Sequence, residues 1–565
     1  MRDLLRKKPI NRVLNDSSET ATHSAHGLKK SLNVVDLTSL GIAAVLGAGI
    51  FSTIGAAAFH GGPAVSLLFV FTAIACGFSA LCYAQFASTI PASGSAYTYA
   101  YASLGELVAW FIGWTLIMEY AIGNIAVAIS WSDYFTALLY QYNIPFPAYF
   151  SMDFVTAKKG FELVQPLLAS GLTFDQLAEQ HVSQINILGY EAYRTAPKVM
   201  GFSLVGDLPA VAINIFATYI VYIGIKESKR VANAMVLLKI LVVLLVIGVG
   251  AFYIQPKNLT PFAPNGLGGV LKGISGVFFA YIGFDAISTT AEECKDPKRD
   301  LPRAMFYALG ICTLLYVLMS VVLTGVANYK FLNVGDPLAY VFGPEGANVP
   351  WVSAVVSGSA VIALFSVLLV FQLGQPRIWM VMGRDGLLPK KFAELHPKYK
   401  TPWFSTIITG VLVGLPCLFM NLTEVTDLTS IGTLFAFFIV CIGILFIDSS
   451  QAKFKVFYIN GRWFFPFVYA LVFYYICASR PDLLAGEAPL GDSIIFSAYF
   501  VLMTGILVLA VIKQWSLIPL LGATTCSYLM TELGVVNWIR FGIWLAIGAV
   551  LYFSYGYRKS LLANN

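Results

Sequence analysis

The sequence predicts an all-α polytopic membrane protein with about fourteen transmembrane helices. Three observations carry that prediction: an extreme apolar composition, a series of apolar windows long enough to cross a bilayer, and a one-sided distribution of lysine and arginine. The chain is 58% hydrophobic and 12% charged, with a mean hydropathy of +0.74. Charged residues make up about a quarter of an ordinary soluble domain, so a chain of 565 residues with this balance is not a soluble globule. Windows of ~20 residues place spans 1 to 14 at approximately 34–59, 64–90, 104–137, 206–225, 231–254, 268–290, 303–327, 350–379, 402–421, 425–448, 463–479, 491–513, 515–533 and 536–556.

Orientation follows from the basic residues. The first 30 residues are polar and basic and show no cleavable signal peptide, which keeps the N-terminus cytoplasmic. With residues flanking a span assigned to the nearer loop, 26 Lys and Arg fall on the cytoplasmic side and 8 on the outer side, with Lys239 and Lys272 inside spans. Both termini are then cytoplasmic, in a cell membrane and most simply a bacterial inner membrane. The net charge of +6 lies in short loops between apolar segments, so no nucleic-acid partner is expected. The eight cysteines fall in spans or, for Cys294, a cytoplasmic loop, so no disulfide framework is expected. No CxxC, HExxH, Walker loop or His/carboxylate cluster is present. The five histidines, His23, His26, His60, His181 and His396, are scattered. No metal, cofactor or enzymatic activity is expected.

Lys239 is the most informative single residue. It lies in AMVLLKILVVLLVIGVGAFYI, roughly 12 Å along span 5 and beyond easy snorkelling. A charge at that depth costs several kcal/mol and marks a proton relay, ion site or substrate contact, with a glue role toward a carboxylate as the bland alternative. Glu119 on span 3 is also near mid-depth. It is read as an acidic contact for a cationic substrate, as the partner of Lys239, or as a protonated acid. Asp285 either caps a broken span 6 or lines the cavity. The cytoplasmic runs KDPKRDLPR and GRDGLLPKK are inner-leaflet anchors and gate contacts.

Span 1 carries GIAAVLGAGIFSTIG and span 6 carries GVFFAYIGFDAIST. Glycine-interrupted spans at the same position of two successive sets of five point to a transporter with inverted repeats, while close helix packing is the bland reading. Unwinding frees N–H groups on span 1 and C=O groups on span 6, which suits a ligand with one carboxylate and one ammonium, an α-amino acid.

GAGIF, PASGSAYTYAY, GWTLIMEY, GIKES, FFAYIGFDAISTTAEE, DPKRDLPRA and GQPRIWMVMGRDGLLP, with LGATTCSYLMTELG, NWIRFGIWLAIG and LYFSYG near the C-terminus, resemble the cationic amino acid transporter branch of the amino acid–polyamine–organocation superfamily. The resemblance runs from about residue 30 to 557. It implies a cytoplasmic tail over 1–33, a ten-helix LeuT-type 5+5 inverted-repeat core over 34–448 with an outer insertion at 141–205, and accessory spans 11–14 with a short tail over 449–565. It further implies that the substrate carboxylate binds amides around Gly47, Ala48, Gly49 and Ile50, that the ammonium meets carbonyls of Phe279, Ala280 and Ile282, and that Phe279 closes over the substrate. Lys239 matches a lysine of proton-coupled members whose ammonium takes the place of a sodium ion. The function implied is secondary active, proton-coupled uptake of an amino acid by alternating access, with exchange or sensing as the alternatives. Two departures are the length of the 141–205 insertion and Ser95, where a second glycine is common.

Overall fold

The computed structural model describes residues 6–9, 32–90, 95–179, 182–224, 229–344, 346–447 and 458–562. Most of the expected N-terminal tail, His23, His26 and His181, and parts of the PASGSAY and GIKES motifs lie outside the described residues. Every window named above coincides with helical structure. Among the described residues, nine helices are long and apolar enough to cross a membrane, or ten if the bent pair of span 6 counts as one; four more apolar helices, in spans 1, 4, 9 and 13, are shorter. Among the described residues the strand content is one hairpin, Lys198–Val199 with Phe202–Ser203, in the insertion.

Helices dominate because a backbone in hydrocarbon must satisfy its own polar groups. Their packing repeats itself. Span 2 (Val65–Thr89) packs along span 7 (Pro297–Val326), span 3 (Glu106–Gln141) along span 8 (Pro350–Arg384), and span 4 (Leu208–Ile223) along span 9 (Trp403–Cys417). These partners are five apart. The contact of span 1 with span 7 is mirrored by span 6 with span 2. Span 3 on span 10 (Leu422–Gly443) is mirrored by span 8 on span 5 (Lys229–Gly250), and span 5 on span 1 by span 10 on span 6. Five is an odd number, so the second set enters the membrane from the opposite side to the first. The contact map is therefore that of two inverted five-helix sets wrapped around spans 1 and 6.

The accessory helices are fixed from one side. Span 13 (Leu517–Thr531) packs on spans 2 and 10, and span 14 (Val535–Leu551) on spans 10 and 3. Trp114 of span 3 stacks on Trp544 of span 14 at 4.5 Å, and the Trp110 indole donates to the Gly548 carbonyl at 2.9 Å. Spans 11 (Gly461–Ser479) and 12 (Leu490–Lys513) pack mainly on each other and on span 13, with a small core of their own around Phe465 and Met503.

The insertion is folded. Helices Phe154–Ala169 and Gln184–Thr195 approach at Gly160 and Gly189, where a Cβ on Gly160 would lie 2.4 Å from the Asn186 carbonyl. Val164, Leu177 and Ile187 form its core. Asp153 caps the first helix by accepting from Thr156 N at 2.8 Å. Burial raises the Asp153 carboxyl above its ordinary range, against the pull of those hydrogen bonds. The insertion is tied to the bundle through Phe154 N on the Leu418 carbonyl and Gly206 N on the Tyr149 carbonyl.

Both ends of the chain meet at the opposite end of the bundle. Lys8 pairs with Asp385 at 3.1 Å, Leu561 N donates to the Asp385 carbonyl, and Arg6 lies over the Tyr557 ring. The short helix Ser95–Ser103 joins them: Tyr97 donates to Asp385 at 2.6 Å. Burial, with the Asp385 carboxylate beside it, raises the Tyr97 phenol well above its usual range and keeps it a donor. Ser95 sits at φ +50°, a left-handed conformation that the expected glycine would adopt more easily.

Seven of the eight cysteines are buried and Cys477 is half-buried, so native labelling by a membrane-impermeant maleimide should be low. Lys159→Cys in the insertion and Lys398→Cys at the termini end, both exposed, should label from opposite sides of sealed vesicles. Labelling of both from the same side would overturn the topology.

Candidate functional site

Span 1 begins as Val34–Val45, started by a reciprocal capping box between Asn33 and Asp36. It stops because the chain turns at Leu46 and Gly47, where Leu46 N bonds back to the Ile42 carbonyl and Gly47 N to the Val45 carbonyl at 2.8 Å. A second half restarts with a wide turn, Gly49–Thr53, and continues as Ile54–Gly61. Ala48 and Gly49 supply first-turn amides of this half, which have no carbonyl one turn before them in the same helix. The Ile50 amide is turned onto the Gly47 carbonyl at 3.2 Å.

Span 6 breaks opposite. Gly266–Lys272 and Ile274–Phe279 lead to a turn at Ala280–Gly283, after which Phe284–Glu293 continues as a tighter helix. Gly283 has φ +115°, and a Cβ there would stand 3.0 Å from Ala44 of span 1, so both conformation and space require glycine. The two breaks touch: a Cβ on Gly49 would fall 2.3 Å from the Ala280 Cα.

Side chains from neighbouring spans hold the freed backbone. The Tyr316 hydroxyl of span 7 lies 2.8 Å from both the Val45 and the Ala280 carbonyls, bridging break to break. Thr53 Oγ1 lies 2.8 Å from the Gly49 carbonyl and 2.9 Å from the Gly276 carbonyl, a second bridge. Tyr134 of span 3 donates to the Phe51 carbonyl at 2.6 Å, and Ser430 of span 10 donates to the Ser275 carbonyl at 3.2 Å. Lys239 is 1% exposed, and its ammonium donates to the Ala43 carbonyl at 3.0 Å. Ala43 is in the last turn of the first half-helix, where carbonyls lack partners and a cation is favoured.

The candidate residues thus divide. Gly47, Ala48, Gly49, Ile50, Phe279, Ala280 and Ile282 are brought together at the touching breaks, all buried. Of the three carbonyls on span 6, that of Phe279 accepts from Ile282 N at 3.2 Å and that of Ala280 is already bonded to Tyr316. Lys239 joins the group from the side, at the end of the first half-helix. The partnership of Glu119 with Lys239 does not form: no ion pair links them among the described residues. Glu119 is 2% exposed and stands beside Thr433 of span 10, in the field of Asp285, with one carboxyl oxygen unpartnered. The reason is that spans 3 and 5 contact opposite sides of the break, with span 5 against the first half of span 1 and span 3 against span 10. Asp285 is 4% exposed and lies in the first turn of the second half of span 6, where a carboxylate is favoured by the helix dipole; Gly283, not Asp285, holds the N-cap position.

Tyr316, Thr53 and Tyr134 were not legible as site residues. The available signal was weak: a tyrosine in the otherwise apolar TLLYVLMS of span 7, whose hydroxyl needs a partner in the membrane.

Tyr316→Phe should leave the fold intact but weaken substrate binding and lower stability by about 1–2 kcal/mol, since buried carbonyls lose a donor. Gly49→Val forces spans 1 and 6 apart and should abolish binding, measured by thermal shift with substrate. Unchanged affinity in Gly49→Val would put the site elsewhere.

The comparisons with known proteins agree over nearly the whole chain. A model of the amino acid permease family matches residues 32–509, and a model of the C-terminus of amino acid permeases matches residues 516–560. The branched-chain amino acid permease BcaP of Bacillus subtilis (strain 168) is 37% identical over 560 residues, 99% of each chain. A methylthioribose transporter of the same organism is 34% identical over 563 residues, the full length of both. The vacuolar cationic amino acid transporter 4 of Arabidopsis thaliana is 31% identical over 636 residues, covering 100% of this chain and 97% of the relative. These relatives are transporters, not enzymes. On the broken-helix fold, the family models and these full-length identities, the chain belongs to the amino acid permease family.

Proposed function

We propose that the chain takes up α-amino acids by proton-coupled alternating access, in a cell membrane with both termini cytoplasmic. The orientation rests on the 26 to 8 distribution of Lys and Arg. The observation that carries the coupling is the bond of the Lys239 ammonium to the Ala43 carbonyl, at the end of the half-helix that abuts the break. An ammonium there satisfies a carbonyl that otherwise has no partner in a dry site. When the proton leaves, a neutral amine still donates, but the favourable charge at the helix C-terminus is gone. Protonation thereby biases how firmly the first half of span 1 is held against span 5. The lysine also fills the place a sodium ion would take, so transport is sodium-independent.

The substrate carboxylate is assigned to the first-turn amides of Ala48 and Gly49, with Gly47 and Ile50 shaping the turn. The ammonium is assigned to the carbonyl side of span 6 at Phe279, Ala280 and Ile282. Because the Ala280 carbonyl is bonded to Tyr316, a substrate ammonium competes with that hydroxyl or shares the second lone pair. These are backbone contacts, so they select the amino acid head and leave the side chain open, in keeping with relatives named for branched-chain and cationic amino acids. The unpartnered oxygen of Glu119 supports a second assignment, in which this carboxyl either meets a cationic side chain or holds a proton when the substrate is neutral. Exchange of one amino acid for another, or sensing without net flux, are the competing outcomes.

Uptake of labelled amino acids into proteoliposomes tests this. An inward proton gradient should stimulate uptake and sodium should not be required. Lys239→Met keeps the volume and removes the charge. It should retain substrate binding but lose its response to pH, and retention of wild-type proton-driven accumulation would overturn the coupling. Glu119→Gln should shift the pH dependence of uptake, and for a cationic substrate it should also weaken binding by about tenfold or more.

A further inference from the structure

At the insertion end of the bundle, spans 1, 2 and 6 of the core face accessory spans 11 and 13 across a recess with two compartments. One has a volume of about 610 Å³ and is lined almost wholly by carbon, with Leu68, Phe71 and Ile274 among its walls. The other has a volume of about 810 Å³ and is polar, lined by His60, Asn265, Lys272, Arg480 and Glu532. Leu267, Leu271, Tyr475 and Tyr528 line both, so the compartments adjoin across a shared wall.

The charges are arranged by type. Lys272 is exposed and makes no ion pair among the described residues. Arg480 is held by Asp482 and Asp492, each at 3.0 Å, which orients its guanidinium and more than offsets its charge. Glu532 stands on the span 13 side beside the Tyr528 hydroxyl. The polar compartment therefore offers the Lys272 ammonium, beside His60, on the core side and carboxylate charge led by Glu532, near Arg480 and Asp492, on the accessory side, next to an apolar chamber. A free ion or amino acid uses only the polar half, whereas an amphiphile with a small zwitterionic head uses both.

We propose that this recess binds an aminophospholipid of the leaflet at that end, with its phosphate at Lys272, its ammonium at Glu532 and an acyl chain in the apolar compartment. Acyl chains gain little by leaving other acyl chains, because lipid tails are as apolar as the cavity wall. Preference among lipids is thus set by the head, and headgroup exchange is the direct test. Bound there, the lipid bridges core spans 1 and 6 to accessory spans 11 and 13.

The experiment is native mass spectrometry and thermal shift of the purified full chain, titrated with phosphatidylethanolamine, phosphatidylglycerol and phosphatidylcholine. Wild type should retain phosphatidylethanolamine in preference to the other two. Lys272→Gln and Glu532→Gln should each weaken that retention by about fivefold, the effect of one charge near a headgroup. Ala263→Trp, at an exposed position lining the apolar compartment, should reduce retention with both charges intact. Equal retention of the three lipids by wild type, or unchanged retention in all three variants, overturns the proposal. So does displacement of phosphatidylethanolamine by a millimolar free amino acid in Gly49→Val as well as in wild type, which would make the polar compartment an amino acid subsite.

Discussion

A helix interrupted inside a membrane leaves polar backbone groups where no water can reach them, and each unsatisfied group costs several kcal/mol. The rest of this structure is arranged around that constraint. At the first break the Val45 carbonyl is met by Tyr316, the Ala43 carbonyl by Lys239, the Gly49 carbonyl by Thr53 and the Phe51 carbonyl by Tyr134. These donors come from spans 7, 5, 1 and 3, so satisfying one broken helix engages most of the first repeat and reaches into the second. Two donors also serve span 6, through the Ala280 and Gly276 carbonyls. The breaks are held as one unit, by side chains that bond to backbone on both sides.

The same constraint explains why the pseudo-symmetry is so complete. A half-helix cannot stand alone in lipid, so each break needs two flanking spans, and the inverted repeat supplies them twice. Span 7 and span 5 flank the first half of span 1, and spans 2 and 10 flank span 6. Where the breaks meet, side chains are excluded. Gly49 against Ala280 is a backbone approach closer than any residue with a Cβ permits, and Gly283 against Ala44 is a tight one at a left-handed φ that favours glycine.

Much of this was written in local sequence patterns. Apolar windows located the spans, and the glycine clusters of spans 1 and 6 located the breaks, because glycine marks where backbone comes near backbone. Lys239 announced itself by the cost of its charge. What could not be read was rotation about helix axes. Glu119 and Lys239 lie at similar depth, yet a side chain's azimuth depends on packing that one sequence does not encode, and the two residues point into different seams. Tyr316 was missed for the same reason: tyrosine is frequent in this chain, and only geometry separates one that bridges two carbonyls from one that fills space. Asp285 falls in the first turn after the break and not at the cap position, which Gly283 holds, a placement of one or two residues that no sequence pattern fixes.

The end of the bundle that carries both termini is tied by charge-assisted bonds rather than by packing alone. Asp385, after span 8, receives Lys8 and Tyr97, and buried Glu106, at the start of span 3, receives Tyr101, Tyr552 and Ser560. Spans 3 and 8 are symmetry mates that pack along each other beside the breaks, so these ties join both of them to the short helix Ser95–Ser103 and to the described ends of the chain. Bonds to charged groups are worth about 1.5–3 kcal/mol each. The five bonds together amount to roughly 8–15 kcal/mol on that scale, so this end of the bundle is held by its polar anchors as firmly as the breaks are held by theirs.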